Sequence, residues 1–381
     1  MASSDRDSHL FSRGPKRILA LDGGGIRGVL SLRILGRMES IIRSRTGNKS
    51  ATLSDYFDLI GGTSTGAIIA AGLAMGWDVK KLVRMYDKFG EAVFESDFFR
   101  RGLLRPKFSE KVLVDQLKAN FGNVTLGSDK LKTGLAVVMK RLDTGSPWVV
   151  FNNPRGKYFD QRPGSNAVPN KDFLVRDVVR ASTAAPTYFK PEEIEVASDQ
   201  KGAFVDGGVS PHNNPALLLF MLSTINGYGL NWPVGEDNLL LVSVGTGNAL
   251  PGQSADSVMK TKAAKLGITA LASLMDDASV LNETMLQWFS RSATARPIDR
   301  ELGDLGTDLL GGNALLTYLR YQAWLDKDWL RDNLNIELAK KELDALAEMD
   351  KPENVRRLSE IGDAVADRLV EERHFPSAFD V

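Results

Sequence analysis

The GTSTG segment around Ser64 constrains the fold of this chain more than any other feature. It joins an apolar segment at 56–60, which predicts a strand, to a longer one at 65–75, which predicts a helix. A serine framed by Gly62 and Gly66 in this setting is typical of a nucleophile elbow, a tight turn that lifts the serine oxygen clear of the backbone. Glycine is required because a β-carbon two positions from the serine would strike the adjoining strand and helix. We therefore predict an α/β fold with Ser64 at a helix N-terminus.

A second glycine-rich segment, DGGGIRG at 22–28, follows the apolar segment 17–21, which predicts a strand. Its glycine spacing, up to Gly28, fits a dinucleotide-binding loop between a strand and a helix. Such a site also needs an acidic residue roughly 20 positions further on, at the end of a second strand. The corresponding stretch instead predicts an amphipathic helix from about position 29, in which only Glu39 is acidic. The nucleotide interpretation is incomplete and stays an alternative.

The same segment can also be interpreted as an oxyanion hole. The consecutive amides of Gly23, Gly24 and Gly25 can point at one oxygen, and the missing side chains leave room for an acyl group. Asp22 opens the segment. For Arg27 two roles are open: it holds the loop or a lipid phosphate, or it is a surface arginine.

A serine hydroxyl needs a base before it can attack, and histidine is the usual one. The chain has three histidines, His9, His212 and His374. His9 lies in a polar N-terminal segment and His374 near the other end, so both are expected to be solvated. Only His212 is a serious candidate for the base of a triad.

Asp206 offers a different base. It ends the predicted strand 203–205, and the small residues Gly207 and Gly208 follow it, so its carboxylate can approach a serine closely. Catalytic aspartate and histidine normally follow different strands in Ser-Asp-His hydrolases, which argues against a pair only six residues apart. We therefore favour a dyad of Ser64 and Asp206.

The order of these motifs resembles the patatin-like phospholipase family, whose pattern is a DGGGxRG loop, a GxSxG elbow and a DGG or DGA aspartate. The segment 206–215 also resembles the family's extension of that aspartate into an asparagine-proline segment. The segment 181–189 resembles its usual upstream stretch. The resemblance covers roughly residues 16–218.

The resemblance implies a three-layer α/β/α fold related to cytosolic phospholipase A2, with a helical C-terminal region. It makes Ser64 the nucleophile and Asp206 the base, and it assigns the oxyanion hole to the three glycines at 23–25. It implies no metal or other cofactor. The implied reaction releases fatty acids from glycerophospholipids, as a phospholipase A1 or A2 or a broader lipid acyl hydrolase. The remaining motif residues support this site: Asp22, Arg27, Gly28, Gly62, Gly66, Gly207 and Gly208.

We predict a flexible tail at 1–15 and a catalytic core at 16–218. Residues 219–381 are expected to complete the same α/β domain and to add C-terminal helices with lid or regulatory elements. From about residue 257 the chain is predicted to be mainly helical.

Charge and composition restrict the partners and the compartment. The 48 basic and 48 acidic residues cancel, so no nucleic-acid partner is expected. The chain has no cysteine, which excludes disulfides and thiol catalysis and fits a reducing compartment such as the cytoplasm. Neither a secretory signal nor a membrane-spanning segment is recognisable. An enzyme acting on membrane phospholipids would therefore bind the bilayer peripherally.

The segment 93–105 mixes aromatic residues and leucines with arginines, a composition that suits interfacial docking or a lid. Within it we predict membrane contact by Phe98, Phe99, Arg100 and Arg101. The alternative is a cluster of core aromatics beside a basic turn.

Two further hypotheses stay open. Residues 311–321 and the closing helices resemble bacterial patatin-like effectors that cyclic nucleotides activate in antiphage defence, so the enzyme could be gated by a cyclic oligonucleotide. The second is a noncatalytic nucleotide-binding module built on 23–28, which would leave Ser64 and Asp206 without a purpose.

Overall fold

The computed structural model describes residues 4–89, 110–186, 188–249 and 255–381. Within these ranges nine strands form one mixed sheet. They are β1 (Lys16–Leu21), β2 (Leu59–Thr63), β3 (Gly134–Arg141), β4 (Ser146–Phe151), β5 (Glu192–Ala197), β6 (Gln200–Asp206), β7 (Leu239–Val244), β8 (Ser290–Arg291) and β9 (Leu316–Tyr321). Their order across the sheet is β5-β6-β3-β2-β1-β7-β9-β8, and β4 pairs with β3 outside this path.

Helices cover both faces of the sheet. They are α1 (Asp5–Phe11), α2 (Gly28–Thr46), α3 (Leu53–Tyr56), α4 (Thr65–Ala74), α5 (Val79–Phe89), α6 (Glu110–Phe121), α7 (Val175–Ser182), α8 (Ala216–Thr224), α9 (Ala255–Met259), α10 (Ala263–Phe289), α11 (Lys327–Trp329), α12 (Lys340–Leu346) and α13 (Val355–Leu369). In the part of the chain that is described, none of them has the length and apolar composition to cross a bilayer.

The central strand β1 shows why the fold has three layers. Successive side chains of a strand point to opposite faces. Leu19 and Leu21 pack into a core with helices α2, α4 and α13. Ile18 and Ala20 pack into a second core with α8 and part of α10. The α/β/α fold predicted from the sequence is confirmed.

The sheet brings the three glycine motifs to one edge. Strands β1 and β2 run parallel, so the DGGGIRG loop and Ser64 both follow carboxyl ends. Strand β6 runs antiparallel to β3, with Asp206 opposite Met139. Val138 of β3 pairs with Thr63 of β2, so strand β6, which ends at Asp206, ends beside the end of β2. The carboxylate and the serine therefore meet although 142 residues separate them.

The predicted flexible tail is wrong for residues 5–11, which form α1. The Ser4 side chain caps this helix by accepting a hydrogen bond from the Asp7 amide. Leu10 is fully buried, and its carbonyl accepts a hydrogen bond from Trp232 Nε1 at 3.0 Å. Leu10 and the indole of Trp232 thus hold α1 against the domain, although the rest of α1 is mostly polar.

One element boundary also differs from the prediction. The capping box of Thr52 and Asp55 starts helix α3, which occupies the first part of the predicted strand 56–60, so β2 begins only at Leu59. The C-terminal region is helical as predicted, and it also contains strand β9, which pairs in parallel with β7 inside the sheet.

Candidate active site

The turn after β2 is a nucleophile elbow in its backbone geometry. Ser64 has φ 55° and ψ −124°, which an L-residue adopts only when its surroundings enforce it. A β-carbon on Gly62 would lie 2.2 Å from the carbonyl oxygen of Gly66, and one on Gly66 would lie 2.3 Å from that of Leu21. The Ser64 amide donates to Ser182 Oγ at 2.9 Å. Both glycines and Ser182 hold the turn in place.

Ser64 and Asp206 are in direct contact. Ser64 Oγ donates to Asp206 Oδ2 at 2.5 Å, and Asp206 Oδ1 accepts from the amide of Gly208 at 2.7 Å. Burial raises the pKa of the Asp206 carboxyl to about 6, against the opposing effect of these two hydrogen bonds. A β-carbon on Gly207 would lie 2.4 Å from the carbonyl oxygen of Val138, so only glycine lets the strand end here. The arrangement places the Ser64 hydroxyl against a carboxylate that can accept its proton.

The ring of His212 does not join this contact. Its Nδ1 is buried and has no hydrogen-bond partner among the described residues, and burial lowers its pKa. His212 contributes its carbonyl instead, which accepts from Thr63 Oγ1 at 2.6 Å.

The other two histidines are less solvated than predicted. His9 Nδ1 lies 3.0 Å from Asp58 Oδ1, and His374 is buried with Nδ1 3.1 Å from the Tyr321 hydroxyl. Each ties a chain end to the domain.

Two of the three glycines predicted to be oxyanion donors line the cavity that contains Ser64. Gly24 and Gly25 line the same cavity as Ser64, and no hydrogen bond between described residues uses their amides. Gly23 is different, because its amide donates to the carbonyl of Asn213 at 3.1 Å. The prediction of Gly23 as a donor is therefore wrong. Thr65, at the start of α4, adds an amide that has no acceptor within its helix.

The DGGGIRG loop is clamped from both sides. Thr246 Oγ1 donates to the Gly23 carbonyl at 2.9 Å and occupies the space where a Gly24 β-carbon would lie. On the other side, the carbonyl of Met349 accepts from the Ile26 amide at 3.0 Å. Gly25 has φ +59°, and a β-carbon there would lie 2.5 Å from the same Met349 oxygen. The C-terminal third thus shapes the loop.

Asp22 anchors the start of the loop through a buried ion pair. Its two carboxylate oxygens accept from Arg320 Nη1 and Nη2 at 3.0 and 2.6 Å. Both side chains are about 5% exposed. Arg320 Nη1 also donates to Ser243 Oγ at 2.7 Å. The sequence analysis missed Arg320, and no local pattern marks a partner 298 residues away.

Arg27 and Gly28 have separate roles at the end of the loop. Arg27 is half-buried, and burial lowers the pKa of its guanidinium, against the opposing carboxylate of Asp276 in α10. A β-carbon on Gly28 would lie 2.7 Å from Thr65 Oγ1. Gly28 therefore lets α2 start against α4.

A cavity of about 200 Å³ opens over Ser64 and Asp206. Its walls are mainly apolar side chains, and Gly24, Gly25, Ser64 and Asp206 also line it. The lining includes Ile68, Tyr86, Leu113, Tyr188, Phe189, Val209, Met275 and Met349. Residues 98–101, for which membrane contact was predicted, lie outside the described residues.

A family model described as patatin-like phospholipase matches residues 19–220, just over half of the chain. The chain belongs to the patatin-like phospholipase family. All three glycine motifs of this patatin-like chain lie inside the matched region.

Curated relatives of this patatin-like chain come from bacteria and plants. A "cGAMP-activated phospholipase" of Escherichia coli is 28% identical over 60% of this chain and 62% of its own length. One from Vibrio cholerae is 32% identical over 53% and 56%. "Patatin-15" of Solanum tuberosum is 28% identical over 60% of each chain. The chain thus spans about three fifths of the length of these relatives.

Proposed function

We propose that this patatin-like chain is a lipid acyl hydrolase that releases fatty acids from glycerophospholipids through an acyl-enzyme on Ser64. The observation that carries the proposal is the 2.5 Å hydrogen bond from Ser64 Oγ to Asp206, at an elbow beside unused backbone amides. The family match supports a lipid ester as the substrate class.

In the acylation step Ser64 Oγ attacks the ester carbonyl carbon while Asp206 accepts the hydroxyl proton. The carbonyl oxygen becomes an oxyanion, which the amides of Gly24, Gly25 and Thr65 stabilise. Each such donor is typically worth about 3 kcal/mol of transition-state stabilisation. The bond to the leaving alcohol then breaks, and Asp206 returns the proton to the leaving oxygen.

Deacylation reverses the roles. Water attacks the acyl carbon as Asp206 accepts its proton, and the same amides stabilise the second oxyanion. The ester bond to Ser64 Oγ breaks, the proton returns to that oxygen, and the fatty acid leaves. A single carboxyl with a pKa of about 6 can therefore serve as base and acid in both steps at neutral pH.

The surroundings of the dyad suit a lipid better than a nucleotide. Ile68, Leu113 and Phe189 line the cavity and can accept an acyl chain. A noncatalytic nucleotide module is disfavoured, because Met349 packs against Gly25 in the loop that would hold the phosphates. We propose that the enzyme binds the membrane surface peripherally to reach its substrate.

The direct test is fatty-acid release from mixed phospholipid vesicles, measured by mass spectrometry. Ser64→Ala is expected to lower the rate by at least about 1,000-fold while thermal unfolding stays unchanged. Ser223→Ala is the matched control, since Ser223 is a buried serine bonded to the Phe220 carbonyl of its own helix α8. A Ser64→Ala protein that keeps more than a tenth of the activity would rule out the acyl-serine mechanism.

A second proposal concerns regulation. Two curated relatives are named as cGAMP-activated phospholipases, so we propose that a cyclic dinucleotide raises the activity of this chain as well. Adding cGAMP to the vesicle assay is expected to increase fatty-acid release from a low basal rate. Equal rates with and without cGAMP would leave the hydrolase proposal intact and remove this one.

A further inference from the structure

Helix α10 has a C-terminal half that is anchored in the domain. Asn282 Nδ2 donates to the carbonyls of Pro211 and Asn214 at 2.9 and 3.1 Å. Leu286 is fully buried in the core beneath the sheet. Gln287 Nε2 donates to two further backbone carbonyls. One side of this half is therefore fixed to the domain.

The N-terminal half of α10, residues 263–275, has the opposite surroundings. Of its side chains that are described, all but Met275 are exposed, and none is charged. Leu266 is 44% and Leu274 63% exposed, and Leu281 continues the row at 59%. These leucines lie within about 80° of one another around the helix. Met259, in the preceding helix α9, is 85% exposed.

This exposed apolar segment is continuous with the catalytic cavity. Met275, where the two halves of α10 meet, lines the cavity together with Ser64. Its Cε lies 3.4 Å from the position of a β-carbon on Gly208, next to the dyad aspartate. A surface that touches residues 263–275 is therefore adjacent to the wall of the catalytic cavity.

We infer that residues 263–275 and Met259 form a bilayer-docking surface, which seats the enzyme on phospholipid and opens its cavity toward the membrane. The inference rests on the proposed phospholipase function. A largely apolar helix can bury its exposed side about 5–10 Å into the headgroup region of a bilayer. Exposed Lys260 and Lys262, between α9 and α10, add attraction to anionic headgroups.

A second copy of the chain fits this surface less well than a bilayer. A helical segment of 13 residues is about 20 Å long and about 10 Å wide, so one face offers roughly 200 Å². Stable protein interfaces bury about 800 Å² on each partner. A bilayer has no such minimum area, and it also holds the substrate.

The test compares the double variant Leu266→Asp with Leu274→Asp against a matched control, Ile225→Asp with Val234→Asp. The control residues are similarly exposed, at 47% and 43%, and lie in the connection between α8 and the start of β7, at the opposite edge of the sheet. Vesicles of phosphatidylcholine and phosphatidylglycerol serve for co-sedimentation and hydrolysis. The soluble ester p-nitrophenyl butyrate reports on the dyad without a membrane.

The leucine variant is expected to bind vesicles at least about tenfold more weakly and to show a similar fall in the ratio of vesicle to soluble-ester hydrolysis. The control variant should stay within about twofold of wild type in both vesicle binding and this hydrolysis ratio. Vesicle binding equal to wild type would overturn the inference. So would a wild-type dimer that the leucine variant dissociates without loss of vesicle binding, seen by light scattering.

Failure of the proposed function would appear differently. A wild type that hydrolyses neither substrate contradicts the hydrolase, while co-sedimentation still decides whether residues 263–275 dock. Leu274→Ser, a milder change at the more exposed of the two leucines described in this segment, repeats the binding test if the double variant does not fold.

Discussion

Asp206 must be ionised before it can accept the proton of Ser64. Burial raises the pKa of its carboxyl to about 6, so the base is protonated below that pH and available above it. We predict that kcat/KM for a soluble ester rises with pH through about 6 and then levels off. Initial rates between acid and mildly alkaline pH measure this. A midpoint near the ordinary aspartate pKa of about 4 would contradict a buried, desolvated base.

Much of the residue-level site could be predicted because its requirements are local. Gly62 is required by contacts within its own turn, and Asp206 ends a recognisable strand. The error at Gly23 has a long-range cause, since its amide acceptor, Asn213, lies 190 positions away in the chain. Sequence spacing indicates which amides stand together and cannot indicate which of them are already bonded.

At the scale of elements, strand β9 stabilises the loop through Arg320. Removing one partner of a buried ion pair leaves the other charge uncompensated, which typically costs about 3–5 kcal/mol. We predict that Arg320→Met lowers the free energy of unfolding by this amount, as measured by urea titration. The double variant Arg320→Met with Asp22→Asn should recover part of this loss of stability. A single variant as stable as wild type would mean that the pair of Asp22 and Arg320 contributes no net stability.

The contact between the glycine loop and the segment after α12 gives a second prediction. Gly25→Ala combines a strained φ of +59° with a clash against the Met349 carbonyl. We expect at least about a tenfold loss of ester turnover, because the clash displaces one oxyanion donor. Gly312→Ala is the control, since it has φ +78° with open space around it and isolates the backbone strain. Equal activities of both variants would show that the Met349 contact does not shape the hole.

The elements that the sequence analysis missed share a physical reason. Strand β9 has the sequence LTYLRY, and all six residues are buried, so no alternation of apolar and polar residues marks it. Arg320 reads as a surface residue until Asp22 is known to pair with it. Helix α1 has a single fully buried apolar anchor, Leu10. Long-range partners, absent from any local window, determine each of these.

At the scale of the whole molecule, the matched family region contains the two residues that we propose react, and the rest of the chain surrounds them. Residues 19–220 contain both members of the dyad. The rest of the chain contributes the ion-pair partner Arg320, the Met349 clamp and the cavity-lining part of α10. If a cyclic dinucleotide or a bilayer moves the C-terminal third, it therefore also moves the DGGGIRG loop, because Met349 bonds to that loop.

The central claim, that Asp206 alone activates Ser64, is tested most directly by the rate of labelling with an alkyl fluorophosphonate, which bonds to an activated serine oxygen and loses fluoride. Mass spectrometry of the tryptic peptide 50–80 locates the adduct on Ser64. We predict labelling of wild type, none of Ser64→Ala, a rate at least about 100-fold lower for Asp206→Asn, and one within about threefold of wild type for His212→Ala. An adduct outside this peptide, or His212→Ala as slow as Asp206→Asn, would contradict the account.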